Sequence, residues 1–209
     1  MSEGSTLAHY EGRNRKLAAS KTAILVVDAQ NAELEPEVLQ KYPEFERALR
    51  GRALPAMRKL VGGAREKGCE IVYTVIEALT LDGRDRSLDH KLSNILVPKG
   101  SPLAKVIEEV APKGDEIVLP KTSSGVFNST NLDYVLRNLG IENVVVCGFV
   151  TDQCVDMAVR DGADRGYYMV CAADACAAYT DERHTTALRA FGGYCRTQNA
   201  DEILGDIIA

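Results

Sequence analysis

Five apolar runs of strand length recur along the chain, and each is rich in valine and isoleucine. Their apolar residues are continuous rather than alternating, which is typical of parallel strands that are covered on both faces. Helix-like amphipathic stretches fall between or after them. The strand-like runs are 22–28, 69–76, 115–120, 143–149 and 167–174, and the helical patterns are 52–68, 101–112, 129–140, 151–166 and 181–193.

This alternation predicts an α/β fold with a doubly wound, mostly parallel sheet and helices on both faces, in a Rossmann-like three-layer arrangement. Ligand sites of such sheets gather at the carboxyl ends of the strands. Three strand ends therefore become candidates: Asp28, Lys121 after Pro120, and residues 148–151. No internal repeat or linker divides the chain, so we expect one domain over residues 1–209.

The polar residues 1–20 are expected to form an N-terminal arm, either loose or in contact with another subunit. The chain has 209 residues and a formal net charge of −5, with no clustered basic stripe, which argues against a nucleic acid partner. It also lacks both a membrane-length apolar run and the apolar core of a signal peptide. We therefore expect a cytoplasmic protein that acts on a small molecule, with no membrane partner.

The six cysteines include no C-x-x-C pair, and no histidine spacing suggests a zinc finger, so we expect neither a metal nor another cofactor. Cys147 and Cys171 lie inside apolar runs and are expected to be buried packing residues. Cys154 instead sits in the first turn of the helix predicted over 151–166. Backbone N–H groups and the helix dipole favour a thiolate there, and a thiolate can attack a carbonyl carbon. The alternative interpretation of Cys154 is simple packing.

Asp28 and Lys121 also follow strands of the predicted sheet, so they could share one crevice with Cys154. The cation would stabilise the thiolate, and the carboxylate would accept the thiol proton and then manage protons at the leaving group and at water. Taken singly, Asp28 could cap a loop and Lys121 could be a solvated charge. The hypothesis depends on all three side chains converging.

With their spacing, these residues resemble the isochorismatase-like cysteine hydrolase superfamily. The resemblance implies that Asp28, Lys121 and Cys154 form a catalytic triad. It also implies a cis peptide between Phe149 and Val150 that directs the Val150 N–H, together with that of Cys154, into an oxyanion hole. The matching segments are 28–31, Lys121 with Phe127, Thr130 and Leu132, then 148–155, 158–166 and 174–177.

The resemblance further implies a reaction. Family members that have the cysteine commonly hydrolyse C–N bonds of small amides, ureides or carbamoyl compounds, such as ureidoacrylate, biuret and N-carbamoylsarcosine. Isochorismatase proper cleaves a vinyl ether and lacks this cysteine, so Cys154 favours an amidohydrolase with a thioester intermediate. An ether or ester hydrolase, or a non-catalytic binding protein on the same scaffold, remains an alternative. Relatives form dimers or tetramers, so we expect a homo-oligomer.

Substrate contacts are expected from residues that flank the triad in sequence. The irregular stretch 77–100 could be a lid over the strand ends or a solvated loop. Two arginines in that stretch could clamp a substrate carboxylate. The candidate substrate-binding residues are Gln30, Phe127, Asn128, Gln153, Arg84 and Arg86.

The chain departs from the family pattern at three places. The aromatic residue that usually follows the first motif is absent, since Asn31 is followed by Ala32-Glu33-Leu34, and Gly125 stands where serine is frequent. Glu77-Ala78-Leu79 replaces the Asp-x-His metal motif that nicotinamidases carry. His9, His90 and His184 stand alone in the sequence and are expected to be surface or packing residues.

Overall fold

The structure is a computed structural model, and it describes residues 14–209. Within that range the strands are β1 (Leu17–Ala18), β2 (Thr22–Val27), β3 (Glu70–Ile76), β4 (Ile117–Lys121), β5 (Asn143–Phe149), β6 (Tyr168–Ala177), β7 (Arg196–Gln198) and β8 (Ile207–Ile208). The α-helices are α1 (Pro36–Lys41), α2 (Pro43–Ala48), α3 (Leu54–Glu66), α4 (Leu88–Leu92), α5 (Val126–Ser129), α6 (Leu132–Asn138), α7 (Asp156–Asp164), α8 (Asp181–Ala190) and α9 (Ala200–Asp206). Turns of π-helix, Leu49–Ala53 and Thr151–Val155, lead into α3 and α7.

Strands β2 to β7 form one sheet in the order β4-β3-β2-β5-β6-β7, and every neighbouring pair is parallel. The predicted fold class is thereby confirmed. Every residue of β2 and β5 is buried, which requires cover on both faces of the sheet. The chain winds outward from β2 to β4 and then from β5 to β7, so the strand order reverses between β2 and β5. Doubly wound sheets form their ligand crevice at such a reversal.

The helices pack in groups against this sheet. Helix α3 packs against β3, β6 and α9, while α7 packs against β5, β6 and α5. The apolar residues of α3 recur at helical spacing and turn inward, which accounts for its place beside the sheet. Its buried residues are Leu54, Met57, Leu60, Val61 and Ala64.

The helix predicted over 101–112 is wrong. The chain there forms two short 3-10 turns, Pro102–Ala104 and Glu108–Val110, with extended backbone between them. The extended part pairs with the segment after β2: Asn31 N donates to Lys105 O at 2.8 Å, and Ile107 N donates to Ala29 O at 2.9 Å. These long-range bonds take the backbone groups that a helix would have used.

Residues 14–20 of the expected N-terminal arm pack on their own chain. Strand β1 pairs in parallel with β8, Leu17 is buried, and Lys16 forms an ion pair with Asp206. The rest of the expected arm, including His9, lies outside the described residues. None of the helices within residues 14–209 has the length and apolar composition that crossing a membrane requires.

Candidate active site

Three segments at the carboxyl edge of the sheet carry the predicted triad. Asp28 directly follows β2, Lys121 is the last residue of β4, and Cys154 lies in the π-helical turn that follows β5. Strands β2 and β5 flank the reversal of strand order. The structure therefore brings the three side chains together at the place where the sequence pattern predicted a crevice.

The Lys121 ammonium group joins the other two side chains. Its Nζ lies 2.9 Å from Asp28 Oδ2 and donates to Cys154 Sγ at 3.4 Å and to Ser123 O at 2.8 Å. Thr74 Oγ1 donates to Asp28 Oδ1 at 3.1 Å, which fixes the carboxylate from the neighbouring strand. One ion pair and two hydrogen bonds therefore hold the ammonium group in place.

The local backbone is unusual on both sides of the reversal point. Asp28 has a positive φ of 52°, and its N–H donates to Thr74 O at 3.0 Å. Gly148 has a φ of 125°, and a Cβ atom there would lie 2.0 Å from Val27 O, so only glycine allows β2 and β5 to approach this closely. The Phe149–Val150 peptide is cis, as the family resemblance implies.

Asp28 and Cys154 line a cavity of about 90 Å³. A wider pocket of about 490 Å³ adjoins it and shares several of its wall residues. The inner cavity suits a group of no more than a few heavy atoms, so the rest of a ligand would lie in the wider pocket. The other cavity residues are Glu33, Ile76, His90, Ile95, Ser124, Phe149, Val150, Gln153 and Tyr179.

Burial decides the resting state of the sulfur. Desolvation, followed by repulsion from Asp28, raises the pKa of Cys154 to about 12, and the nearby Lys121 only partly offsets this. The expectation that the helix start makes this sulfur anionic is therefore wrong for the resting site, because desolvation outweighs the favourable charges. Burial lowers the pKa of Lys121, but attraction to Asp28 and Cys154 outweighs burial and raises it above its ordinary value. The site holds a buried ion pair beside a protonated thiol.

Of the predicted substrate-binding residues, Gln153 lines both the cavity and the wider pocket. Gln30 does not, because its buried amide is used by backbone groups. Its Nε2 donates to Ile76 O and to Leu103 O, both at 3.1 Å, and its Oε1 accepts from Ile76 N at 2.6 Å. Gln30 holds the segment after β2 in place rather than facing a ligand.

Phe127 and Asn128 also point away from the cavity. The Phe127 ring stacks on Tyr167 with centroids 6.0 Å apart, and Asn128 Nδ2 donates to Asp161 Oδ2 at 3.1 Å. Both contacts lie on the side of α5 that faces α7 and the chain after it. Neighbourhood in sequence placed these residues near Lys121 without fixing the direction of their side chains.

The structure does not bring the two arginines to the cavity either. Arg86 donates to Gly83 O at 2.9 Å and to Ile95 O at 2.6 Å, so it stabilises the fold of its own segment. Arg84 is exposed and pairs with Asp82 at 3.1 Å. The carboxylate clamp expected from the sequence is therefore not formed by these residues.

Segment 77–100 nevertheless contributes to the site, since His90 and Ile95 are cavity wall residues. His90 is buried, and its Nε2 lies 3.5 Å from Ser124 Oγ. Burial and the charge of Lys121 lower the pKa of this imidazole, so it is neutral. His184 is a packing residue as expected: its Nδ1 lies 2.8 Å from Thr151 Oγ1, and burial, followed by the charge of Arg52, lowers its pKa to about 4.

Sequence reasoning missed Glu33, Ser124 and Tyr179 as wall residues. Glu33 lies in the short turn Asn31–Leu34, where polar residues show no periodicity that could indicate burial. The missing aromatic residue after the first motif is the signal that could have indicated Glu33. Glu33 belongs to the segment that stands in place of that aromatic residue.

Comparison with known proteins identifies the family. Residues 22–199 match the family described as Isochorismatase domain. The chain belongs to the isochorismatase family. The ureidoacrylate amidohydrolase RutB of Azorhizobium caulinodans is 32% identical over 180 residues, which cover 76% of this chain and 77% of that protein. RutB of Acinetobacter baylyi is 30% identical over 180 residues, covering 77% and 72%.

Solved structures agree with this isochorismatase-family assignment. A cysteine hydrolase from Pseudomonas syringae pv. phaseolicola 1448A superposes with a TM-score of 0.81 at 24% identity, covering 91% of this chain and 94% of its own, and supports the fold. N-carbamoylsarcosine amidase from Thermoplasma acidophilum superposes with a TM-score of 0.72 at 28% identity, covering 88% and 98%. The expected family resemblance is confirmed, and the chain is an isochorismatase-family hydrolase.

Proposed function

We propose that this hydrolase cleaves a C–N bond of a small amide, ureide or carbamoyl compound, with Cys154 as the nucleophile. The observation that carries the proposal is the single ammonium of Lys121, which forms an ion pair with Asp28 and donates to Cys154 beside a small cavity. Similarity to proteins named ureidoacrylate amidohydrolase and N-carbamoylsarcosine amidase supports the type of bond.

The first half-reaction makes the thioester. Because the resting thiol is protonated, the proton leaves Cys154 for Asp28 as Sγ attacks the carbonyl carbon of the bound substrate. Lys121 stays charged and compensates the negative charge that moves from the carboxylate to the sulfur. Backbone N–H groups of Val150 and Cys154 are the proposed donors to the oxyanion. The tetrahedral adduct collapses, the C–N bond breaks, and the amine or ammonia leaves with the proton from Asp28.

The second half-reaction releases the acyl group. Asp28, again a carboxylate, accepts a proton from a water molecule that attacks the thioester carbonyl. The C–S bond breaks, and the proton returns from Asp28 to the sulfur, which restores the thiol. Each step moves one proton between Asp28 and a neighbouring atom, so a single carboxylate serves both halves of the reaction.

A panel of ureides, carbamoyl amino acids and simple amides, assayed for release of ammonia, tests the proposal. We expect the parent protein to hydrolyse at least one member, and Cys154→Ala to lower kcat by roughly a thousandfold or more while the fold is retained. Circular dichroism and thermal unfolding check the fold.

Cys69→Ala is the matched control. Cys69 is also buried, but it precedes β3 at the amino edge of the sheet, away from the triad. The activity of Cys69→Ala should therefore equal that of the parent. Parental turnover by Cys154→Ala would exclude covalent catalysis by this sulfur. Hydrolysis of ethers or esters assayed beside the panel, with no member of the panel cleaved, would favour the isochorismatase-type alternative.

A further inference from the structure

Two polar atoms in the cavity wall take no part in the proposed chemistry. Glu33 Oε2 and His90 Nδ1 are both buried, and neither has a hydrogen-bond partner within residues 14–209. Both residues line the same cavity as Asp28 and Cys154. Buried polar atoms of native proteins are usually paired, so unpaired ones beside a reactive group indicate where a ligand supplies the partner.

The charged side chains that line the cavity and the wider pocket are carboxylates. Among the described residues, no lysine or arginine lines the cavity or the wider pocket next to it. Three of the lining carboxylates are compensated from outside the walls: Asp28 by Lys121, Asp152 by Arg183 and Asp156 by Arg160. Glu33, in the inner cavity, and the exposed Asp89 at the wider pocket have no such ion pair among the described residues.

The surroundings of Glu33 disfavour its own negative charge. Burial, followed by repulsion from Asp28, raises the pKa of Glu33 to about 8, while Lys121 acts in the opposite direction. Two further titratable residues of the cavity wall, His90 and Tyr179, are uncharged at neutral pH. A ligand cation beside Glu33 would stabilise the carboxylate, whereas a ligand carboxylate would meet repulsion with no cation to bind it.

We propose that Glu33 is a specificity-determining residue, which selects small amides or ureides with an ammonium or similar cationic group and disfavours those with a carboxylate. The proposal rests on the proposed function, since it concerns the substrate of the same site. It also separates this chain from the relatives named for ureidoacrylate, because that compound carries a carboxylate.

Three ureides of equal length test the charge preference directly. In 2-aminoethylurea, propylurea and 3-ureidopropionate the same ureide carries a tail that ends in an ammonium, a methyl or a carboxylate group. We expect kcat/KM for ammonia release to fall in that order, with at least a tenfold difference between the first and the last. The parent protein suffices for this ranking, so it does not depend on any variant folding.

Glu33→Gln removes the charge while keeping the shape of the side chain. We expect the ratio of kcat/KM for 2-aminoethylurea to that for propylurea to fall at least tenfold in this variant. Glu35→Gln is the matched control, because Glu35 is exposed two residues further on and lines neither pocket, and it should keep the parental ratio.

The pH profile separates a charge role from a structural one. In the parent, the same ratio should rise as pH increases through about 8, because Glu33 loses its proton there. Changes in the triad affect both compounds and cancel in the ratio. In Glu33→Gln the ratio should be independent of pH.

The outcomes are distinct for the two proposals. The charge preference is overturned if 3-ureidopropionate is cleaved as well as 2-aminoethylurea, or if Glu33→Gln keeps the parental ratio. If none of the three compounds releases ammonia, the charge preference is tested by how well each compound protects Cys154 from alkylation by uncharged iodoacetamide. Stronger protection by 2-aminoethylurea than by 3-ureidopropionate supports the preference while counting against ureide hydrolysis. Equal or absent protection overturns the preference.

Discussion

At the scale of single residues, the central feature is an ion pair that water does not reach. The side chains of Lys121 and Asp28 are 0% and 1% exposed, so each charge depends on the other for stabilisation. Sequence reasoning could find both residues, because each lies at the carboxyl end of an apolar run of strand length. It could not determine that burial keeps the adjacent thiol protonated, since the cavity walls come from segments distant in sequence.

Removing one partner of this pair should destabilise the protein more than removing both. Lys121→Met leaves a buried carboxylate without its cation, and we expect the free energy of unfolding to fall by about 3–5 kcal/mol. Asp28→Asn combined with Lys121→Met leaves no buried charge, so it should recover most of that loss. Urea denaturation followed by circular dichroism measures both. If the double variant is at least as unstable as Lys121→Met alone, the two charges do not stabilise each other.

The specific contacts of individual side chains were the least predictable part of the site. Gln30, Phe127 and Asn128 are adjacent to the triad segments, yet their side chains contact the backbone, the Tyr167 ring and helix α7, respectively. Position in sequence identifies the strand end but not the direction of each side chain. Glu33 was not predicted to line the site, because it lies in a polar stretch of the sequence. Only tertiary packing buries its carboxyl oxygen.

At the scale of elements, the site depends on how closely β2 and β5 approach. Continuous apolar runs predicted both strands well, since a strand buried on both faces has no polar positions. The helix over 101–112 was predicted wrongly because its apolar spacing was helical, while long-range pairing with residues 29–31 decided its conformation. Local pattern is therefore reliable in the core of this sheet and weaker in the segments around its edge.

A substitution at Gly148 tests directly how closely β2 and β5 approach each other. Gly148→Ala places a Cβ atom against Val27 O at a φ that alanine rarely adopts, and we expect a loss of at least about 3 kcal/mol in the free energy of unfolding. Gly62→Ala is the matched control: it lies inside α3 with open space around its Cβ position, so it should stabilise by up to about 1 kcal/mol. Equal effects in denaturant titrations would contradict the close contact.

At the scale of the whole molecule, the strand order explains why three distant residues meet. Asp28, Lys121 and Cys154 are spread over more than half of the sequence, and parallel pairing brings all three strand ends to one edge of the sheet. This topology could be predicted, because alternating strands and helices allow few arrangements. The homo-oligomer expected from the sequence stays a prediction.

The central claim is that Cys154 carries the acyl group during turnover, and rapid acid quenching followed by peptide mass spectrometry tests it most directly. With a substrate from the ammonia-release panel, we predict a covalent acyl adduct on the peptide that contains Cys154. The adduct should form before product, disappear as substrate is used up, and be absent from Cys154→Ala. An enzyme at full turnover whose Cys154 stays unmodified at every quench time, with Cys154→Ala equally active, would contradict the account.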